Sequence, residues 1–176
     1  MTITRVALTA TLAAGMLASP AFAQQQLQGQ DLPPPDVTEH QDWSVACRDL
    51  DTGRACEMLQ TVNERESGQP FMQIRVAYPR QAEAPILQIA VPLGALLPAG
   101  LHIAIDGEDI GSLPFAYCTS DGCFAQTDLA EETLARLRGG TNGTVTFAFV
   151  TGQEPEVPFS LMGFTASYNE VRQARG

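Results

Sequence analysis

Phe71-Met72-Gln73-Ile74-Arg75-Val76-Ala77-Tyr78 puts Met72, Ile74, Val76 and Tyr78 on one side and polar or small residues on the other. A strict period of two is the mark of a half-buried β-strand, because successive side chains leave a strand on opposite faces. The same period recurs at Trp43, Val45 and Cys47, at Leu87, Ile89 and Val91, at Leu101, Ile103 and Ile105, and at Val145, Phe147 and Phe149. Further strands are expected over 56–62, 111–117 and 157–161. Many short strands separated by Gly, Pro and Asp turns predict an all-β domain, a β-sandwich or barrel.

Two segments break the alternation. One internal helix is expected where Asp128 can cap with Glu131 three residues on. Ala130, Leu134 and Leu137 form its apolar stripe, Glu132 and Arg136 sit four apart, and Gly139 ends it. Such a helix would plug an end or cover an edge. Phe164, Tyr168 and Val171 then recur at helical spacing and predict a short C-terminal helix docked by its aromatic face on the sandwich.

Working outward, the 176 residues leave room for one domain with an adequate core. The first residues carry one positive charge, Arg5, followed by an apolar run over 6–17 and an Ala21-Phe22-Ala23 site. This is the layout of a secretory signal peptide over 1–23, and its apolar run is short for a permanent span. No later stretch reaches the roughly 20 apolar residues of a membrane helix, so no integral span is expected in the mature chain. Residues 24–41, QQQLQGQDLPPPDVTEHQ, offer almost nothing to bury and read as a disordered Gln- and Pro-rich tether. The folded domain is expected over 42–176.

The chain has ten cationic side chains, all Arg, against twenty acidic ones, a formal charge of −10. Loss of the leader removes Arg5 and takes the charge from −10 to −11. Such a surface repels phosphate backbones and anionic membranes, so nucleic acid is not an expected partner.

Four cysteines remain after the leader, Cys47, Cys56, Cys118 and Cys123. In an oxidising compartment an even number favours two disulfides, with three connectivities open. Asp51-Thr52-Gly53 lies between Cys47 and Cys56, and Thr119-Ser120-Asp121-Gly122 between Cys118 and Cys123. Each is a turn signal that could bring its flanking thiols opposite one another, and this favours two local, structural pairs. The spacings C-x8-C and C-x4-C match neither the C-x2-C knuckles of structural zinc sites nor a C-x-x-C redox motif.

Candidates for chemistry are few. His40 falls in the tether, where nothing is expected to fix its geometry, and His102 falls on the polar side of its strand. Asp106 shares that side but lies roughly 13 Å along the strand, beyond reach of a His–carboxylate pair. Asp49, Asp51, Asp106, Glu108 and Asp109 cluster in two expected turns without the spacing of a calcium loop, and read as solvated turn acids. Asn142-Gly143-Thr144 fits the glycosylation pattern, but Asn-Gly is a hairpin signal and a turn is expected there. No hydrolase elbow, metalloprotease, phosphate-loop or dinucleotide motif occurs. No catalytic residue, metal or cofactor is therefore expected.

The order of motifs carries more than any one of them. Asp42-Trp43-Ser44-Val45-Ala46-Cys47 and Cys56-Glu57-Met58 are followed by Val91-Pro92-Leu93-Gly94, Gly100 and Ile105-Asp106. Pro114-Phe115-Ala116-Tyr117-Cys118, Gly122-Cys123-Phe124 and Phe159-Ser160-Leu161-Met162-Gly163-Phe164-Thr165-Ala166 come next. Together they resemble the invasion-associated locus B family of exported bacterial proteins, over about 42–168. The resemblance implies an immunoglobulin-like β-sandwich, a Gram-negative envelope or secreted location, and a link to host-cell invasion in some pathogenic members. It implies no catalytic residues.

The expectation for function is an exported, non-enzymatic interaction domain, periplasmic or secreted after cleavage near Ala23, whose partner is a protein or another envelope component. The alternatives are a periplasmic structural or stress-related protein, and a hydrolase using His102 with carboxylates brought near by folding.

Overall fold

The computed structural model describes residues 33–79 and 82–175; the expected leader lies outside them. The elements run β1 (Asp36–His40), β2 (Trp43–Leu50), β3 (Gly53–Asn63), β4 (Pro70–Ala77), β5 (Ile86–Val91), β6 (Leu101–Ile105), β7 (Glu108–Leu113), β8 (Phe115–Thr119) and β9 (Gly122–Asp128). After α1 (Glu131–Gly139) come β10 (Asn142–Phe147), β11 (Glu156–Ser160) and α2 (Phe164–Gln173). A seven-stranded sheet in the order β1-β2-β3-β4-β5-β9-β8 faces a four-stranded sheet in the order β11-β10-β6-β7. Every pairing is antiparallel. The layering is that of an immunoglobulin-like sandwich.

Alternation along the strands builds the core directly. Trp43 and Val45, then Met72, Ile74 and Val76, then Leu87, Ile89 and Val91 are buried on the inner face of the large sheet. Leu101, Ile103 and Ile105 answer them from the small sheet with Val145 and Phe147. At roughly 4.8 Å per strand, four strands cannot cover seven. β11 lies beside β3 and β7 beside β9, so the inner face of β1 and β2 is left over, and α2 packs there. Phe164 meets Trp43 edge to face with ring centroids 5.1 Å apart, and Phe164, Tyr168 and Val171 are all buried, as their spacing predicts. The Tyr168 hydroxyl shares a 2.6 Å hydrogen bond with that of Tyr78. Burial first, and this bond second, push the Tyr168 pKa up to about 12.

Four local expectations are corrected. The last part of the tether is not free chain: Asp36–His40 pairs with β2, from Asp36 opposite Cys47 to His40 opposite Trp43. Its side chains are mostly exposed, Val37 included, so no buried period betrays the strand; backbone pairing alone makes it. The strand expected over 111–117 is two strands in different sheets, divided at Pro114, which has no N–H to continue a ladder.

Asp128 does not cap α1. It is the last residue of β9, and Ala130 stands at the helix N-cap without a side-chain bond. The acids Glu131 and Glu132 in the first turn and Arg136 and Arg138 in the last complement the helix dipole instead. Asn142-Gly143-Thr144 is not a turn but the start of β10, with Gly143 opposite Phe159. A side chain on Gly143 would overlap the Phe159 ring, so the glycine is there for packing rather than for turning.

Candidate functional site

The cysteines sit where cross-strand register puts them. Cys47 faces Cys56 across β2 and β3, Cys118 faces Cys123 across β8 and β9, and both pairs are disulfide-bonded with Cα atoms 4.1 Å and 4.0 Å apart. No thiol is left free for metal binding or redox exchange.

His40 departs from expectation. Its Nε2 lies 2.6 Å from Oε2 of Glu170 on α2, with the two side chains 26% and 33% exposed. Gly163, at the N-cap of α2 with φ +94°, permits this approach, because a Cβ there would overlap the His40 carbonyl oxygen. His40 also lines an open groove with Gln41, Thr165 and Asn169, and its bond to Glu170 ties the edge strand to the helix.

His102 is exposed on the outer face of the small sheet. Its cross-strand neighbours are Ser112 and Thr146, and Glu156 follows Thr146 on β11. Glu156 thus stands two strands away from His102, and no hydrogen bond or ion pair joins the two side chains. Among the described residues no carboxylate forms an ion pair with His102; the histidine that does have a carboxylate partner is His40.

The turn acids are engaged locally. Asp49 and Asp36 bracket the Arg54 guanidinium at 3.0 Å and 3.4 Å. Glu108 accepts from Arg136 at 2.8 Å. The Asp106 carboxylate accepts from the backbone N–H groups of Thr141 and Asn142, holding the entry to β10. Among the described residues no three His, Cys, Asp or Glu come together as a group able to hold a metal. No helix among them is long and apolar enough to cross a membrane.

Two features were missed by sequence reasoning. Buried Gln60 acts as a surrogate strand between the sheets: its Nε2 donates to the carbonyls of Asp42 (2.9 Å) and Ser160 (3.1 Å), and its Oε1 accepts from Ser160 N–H (2.9 Å). Trp43 Nε1 also donates to Ser160 O at 2.9 Å. A Gln among inward-facing apolar residues, between Met58 and Val62, was the available signal.

The second is an apolar end. The loop after β5 and the loop after β10 are joined backbone to backbone: Leu96 N–H donates to Ala148 O at 2.7 Å and Val150 N–H to Gly94 O at 2.9 Å. Ala95 bridges Phe149, whose ring packs edge-on against Phe147 at 5.1 Å. This anchoring leaves Leu93 (55%), Leu96 (40%), Leu97 (47%) and Val150 (68%) exposed together. No Asp, Glu, Lys or Arg occurs anywhere in 84–105 or 139–153. Val91-Pro92-Leu93-Gly94-Ala95-Leu96-Leu97-Pro98, apolar between Pro and Gly breakers where loops are ordinarily polar, was the legible signal.

Comparison with known proteins places these features in context. Residues 43–172 match the family described as Invasion associated locus B (IalB) protein. The chain is similar to the invasion protein B homologs of Brucella abortus strain 2308 and of Brucella abortus biovar 1 strain 9-941. Each is 28% identical over 136 residues, covering 76% of this chain and 77% of the relative. Its fold is similar to the crystal structure of invasion associated protein b from Bartonella henselae, with a TM-score of 0.68 at 15% identity, covering 78% of this chain and 95% of that one.

Proposed function

The chain belongs to the invasion associated locus B family, and from that premise we propose that it is an exported, non-catalytic interaction domain of the bacterial envelope. It works in the periplasm or after release, once 1–23 has been removed as a leader. Complete pairing of its cysteines suits an oxidising compartment. Residues 24–35 serve as a tether ahead of β1, and the partner is a protein or another envelope component. The relatives' names connect the family with invasion, and contact with a host surface is one setting in which such a domain would act.

The observation that carries this reading is the aliphatic end formed by exposed Leu93, Leu96, Leu97 and Val150. Monomeric soluble proteins rarely leave clustered aliphatic side chains in water unless something covers them. By contrast, His40, Asp49, Asp106, Glu108 and Asp109 are engaged in local pairs, and His102 has no carboxylate bonded to it among the described residues. The test is affinity capture from envelope extracts by the exported protein and by its Leu96→Asp variant. A saturable partner lost on that substitution supports the reading. Hydrolysis of an ester, peptide or glycoside panel, abolished by His102→Ala, would overturn it.

A further inference from the structure

We infer that the outer face of the large sheet carries a binding site for a neutral carbohydrate, centred over Ala90. The site goes beyond the contact-surface reading and stands on other residues, since Leu96, Leu97 and Val150 do not line it. Register builds it. Thr61, Gln73, Ala90, Phe124 and Tyr117 form one cross-strand row over β3, β4, β5, β9 and β8. Arg75, Gln88 and Gln126 form the row beside it. On β4, β5 and β9 these residues alternate with the buried ones, so they line the outer face.

Ala90 brings only a methyl group between Gln73 and Phe124, and the backbones of β4 and β9 stand two strand spacings apart, about 9.6 Å, so the row dips there. The result is an open hollow of about 650 Å³, within the roughly 300 to 1,000 Å³ of small-ligand sites. Ser120 and Asp121 of the β8–β9 turn line it too, as do Pro92 and Leu93 after β5.

The chemistry of the walls points to the ligand class. Phe124 stacks on Tyr117 with ring centroids 5.0 Å apart, and the pair offers an aromatic surface whose negative faces attract C–H groups. The polar side chains beside it are mostly amides and hydroxyls already tied to one another. Arg75 donates to Gln73 Oε1 at 2.8 Å, Gln73 Nε2 to Thr61 Oγ1 at 3.2 Å, and Gln88 Nε2 to the Tyr117 hydroxyl at 3.1 Å. Each amide has two N–H donors and an oxygen with two lone pairs, so these bonds fix the side chains and leave donors and acceptors over. A sugar ring matches that mixture, because its hydroxyls both give and take hydrogen bonds while its C–H groups form an apolar face.

Charge narrows the class further. The hollow holds one guanidinium, Arg75, whose Nε stands 3.2 Å from Oε2 of Glu57, and one carboxylate, Asp121. Opposite charges in balance favour a neutral ligand over an ion of either sign. β4, β5 and β9 each have a neighbour on both sides, so no ladder is open there to an added peptide strand.

The test is isothermal titration calorimetry of the exported protein, with both disulfides formed, using maltohexaose, cellohexaose and chitohexaose as probes. Saturable binding of at least one is expected, with a dissociation constant on the order of 0.1 to 1 mM. Ala90→Leu fills the hollow from the solvent side and should weaken binding by at least about tenfold, and Gln73→Ala by about three- to tenfold. Leu96→Asp should leave it unchanged. Far-ultraviolet circular dichroism and the disulfide map check that each variant is folded. The acidic hexagalacturonate should bind at least about tenfold more weakly than the best neutral probe, because the chain carries −10.

No saturable binding of any neutral probe overturns the inference, and so does binding indifferent to both Ala90→Leu and Gln73→Ala. Tighter binding of hexagalacturonate overturns it in favour of an anion site. A partner captured from envelope extracts, lost with Ala90→Leu yet retained after enzymatic removal of its sugars, overturns it in favour of a polypeptide. Calorimetry reports on this hollow alone, so its failure leaves capture through Leu96 standing, and loss of that capture leaves the calorimetry untouched.

Discussion

His40 Nε2 and Glu170 Oε2 stand 2.6 Å apart across 130 positions of sequence, and through them the edge strand β1 is fastened to the C-terminal helix α2. The strand has one sheet neighbour, β2. The His40–Glu170 pair and the backbone bond from Asp42 N–H to Met162 O at 3.3 Å reinforce the same junction. At this degree of exposure the pair is worth about 0.5 to 1 kcal/mol.

Glu170→Ala should therefore loosen β1 without unfolding the sandwich. Native-state hydrogen exchange of the β1 amides should quicken by a few-fold, while the global unfolding midpoint moves by little. An equal loss of protection in β4 would show that the pair supports the whole fold instead.

Gly163→Ala should be far more costly. The position needs φ +94°, and an added Cβ would overlap the His40 carbonyl oxygen, so the helix start and the edge strand cannot both keep their places. A loss of about 2 to 3 kcal/mol is expected from urea unfolding. A loss near that of an ordinary surface change would mean that the junction yields easily.

Gln60→Leu tests the surrogate strand. The substitution keeps the volume but leaves Ser160 N–H without its Gln60 acceptor, while Ser160 O retains the Trp43 indole. The cost should be about 1 to 3 kcal/mol, read from chemical denaturation. An unchanged midpoint would indicate that water takes over the vacated positions.

The phenol of Tyr168 sets a pH dependence at the alkaline end. Its pKa is raised to about 12 by burial and by the bond to Tyr78, against an ordinary value of about 10. The folded state thus holds this proton more tightly than the unfolded chain. Its contribution is present in full below pH ~10 and lost as pH rises toward ~12. Tyr168→Phe should flatten the decline of unfolding free energy between those values, at the expense of the hydrogen bond to Tyr78. A decline of unchanged slope would place the alkaline sensitivity elsewhere.

Local pattern carried much of the architecture. Trp43-Ser44-Val45 and Leu87-Gln88-Ile89 announce strands because alternation is a property of neighbouring residues, and Phe164, Tyr168 and Val171 announce a buried helical face for the same reason. The turn between Cys118 and Cys123 marks two strands whose thiols can meet. The family resemblance was legible too, since ordered short motifs survive where overall identity is low.

What could not be read were the partnerships made across the chain. β1 escaped because its side chains are mostly in water and its stability lies in backbone pairing. Gly143 reads as a turn until Phe159 is laid over it, and the strand expected at 111–117 changes sheets because Pro114 interrupts the ladder between layers. His40 has no visible partner until α2 brings Glu170 to it, and Leu96 and Val150 become one surface only when their loops are bonded together. Periodicity is written into adjacent residues and is decided locally; hydrogen bonds, charge pairs and apolar surfaces between distant segments exist only once the core has fixed where those segments lie.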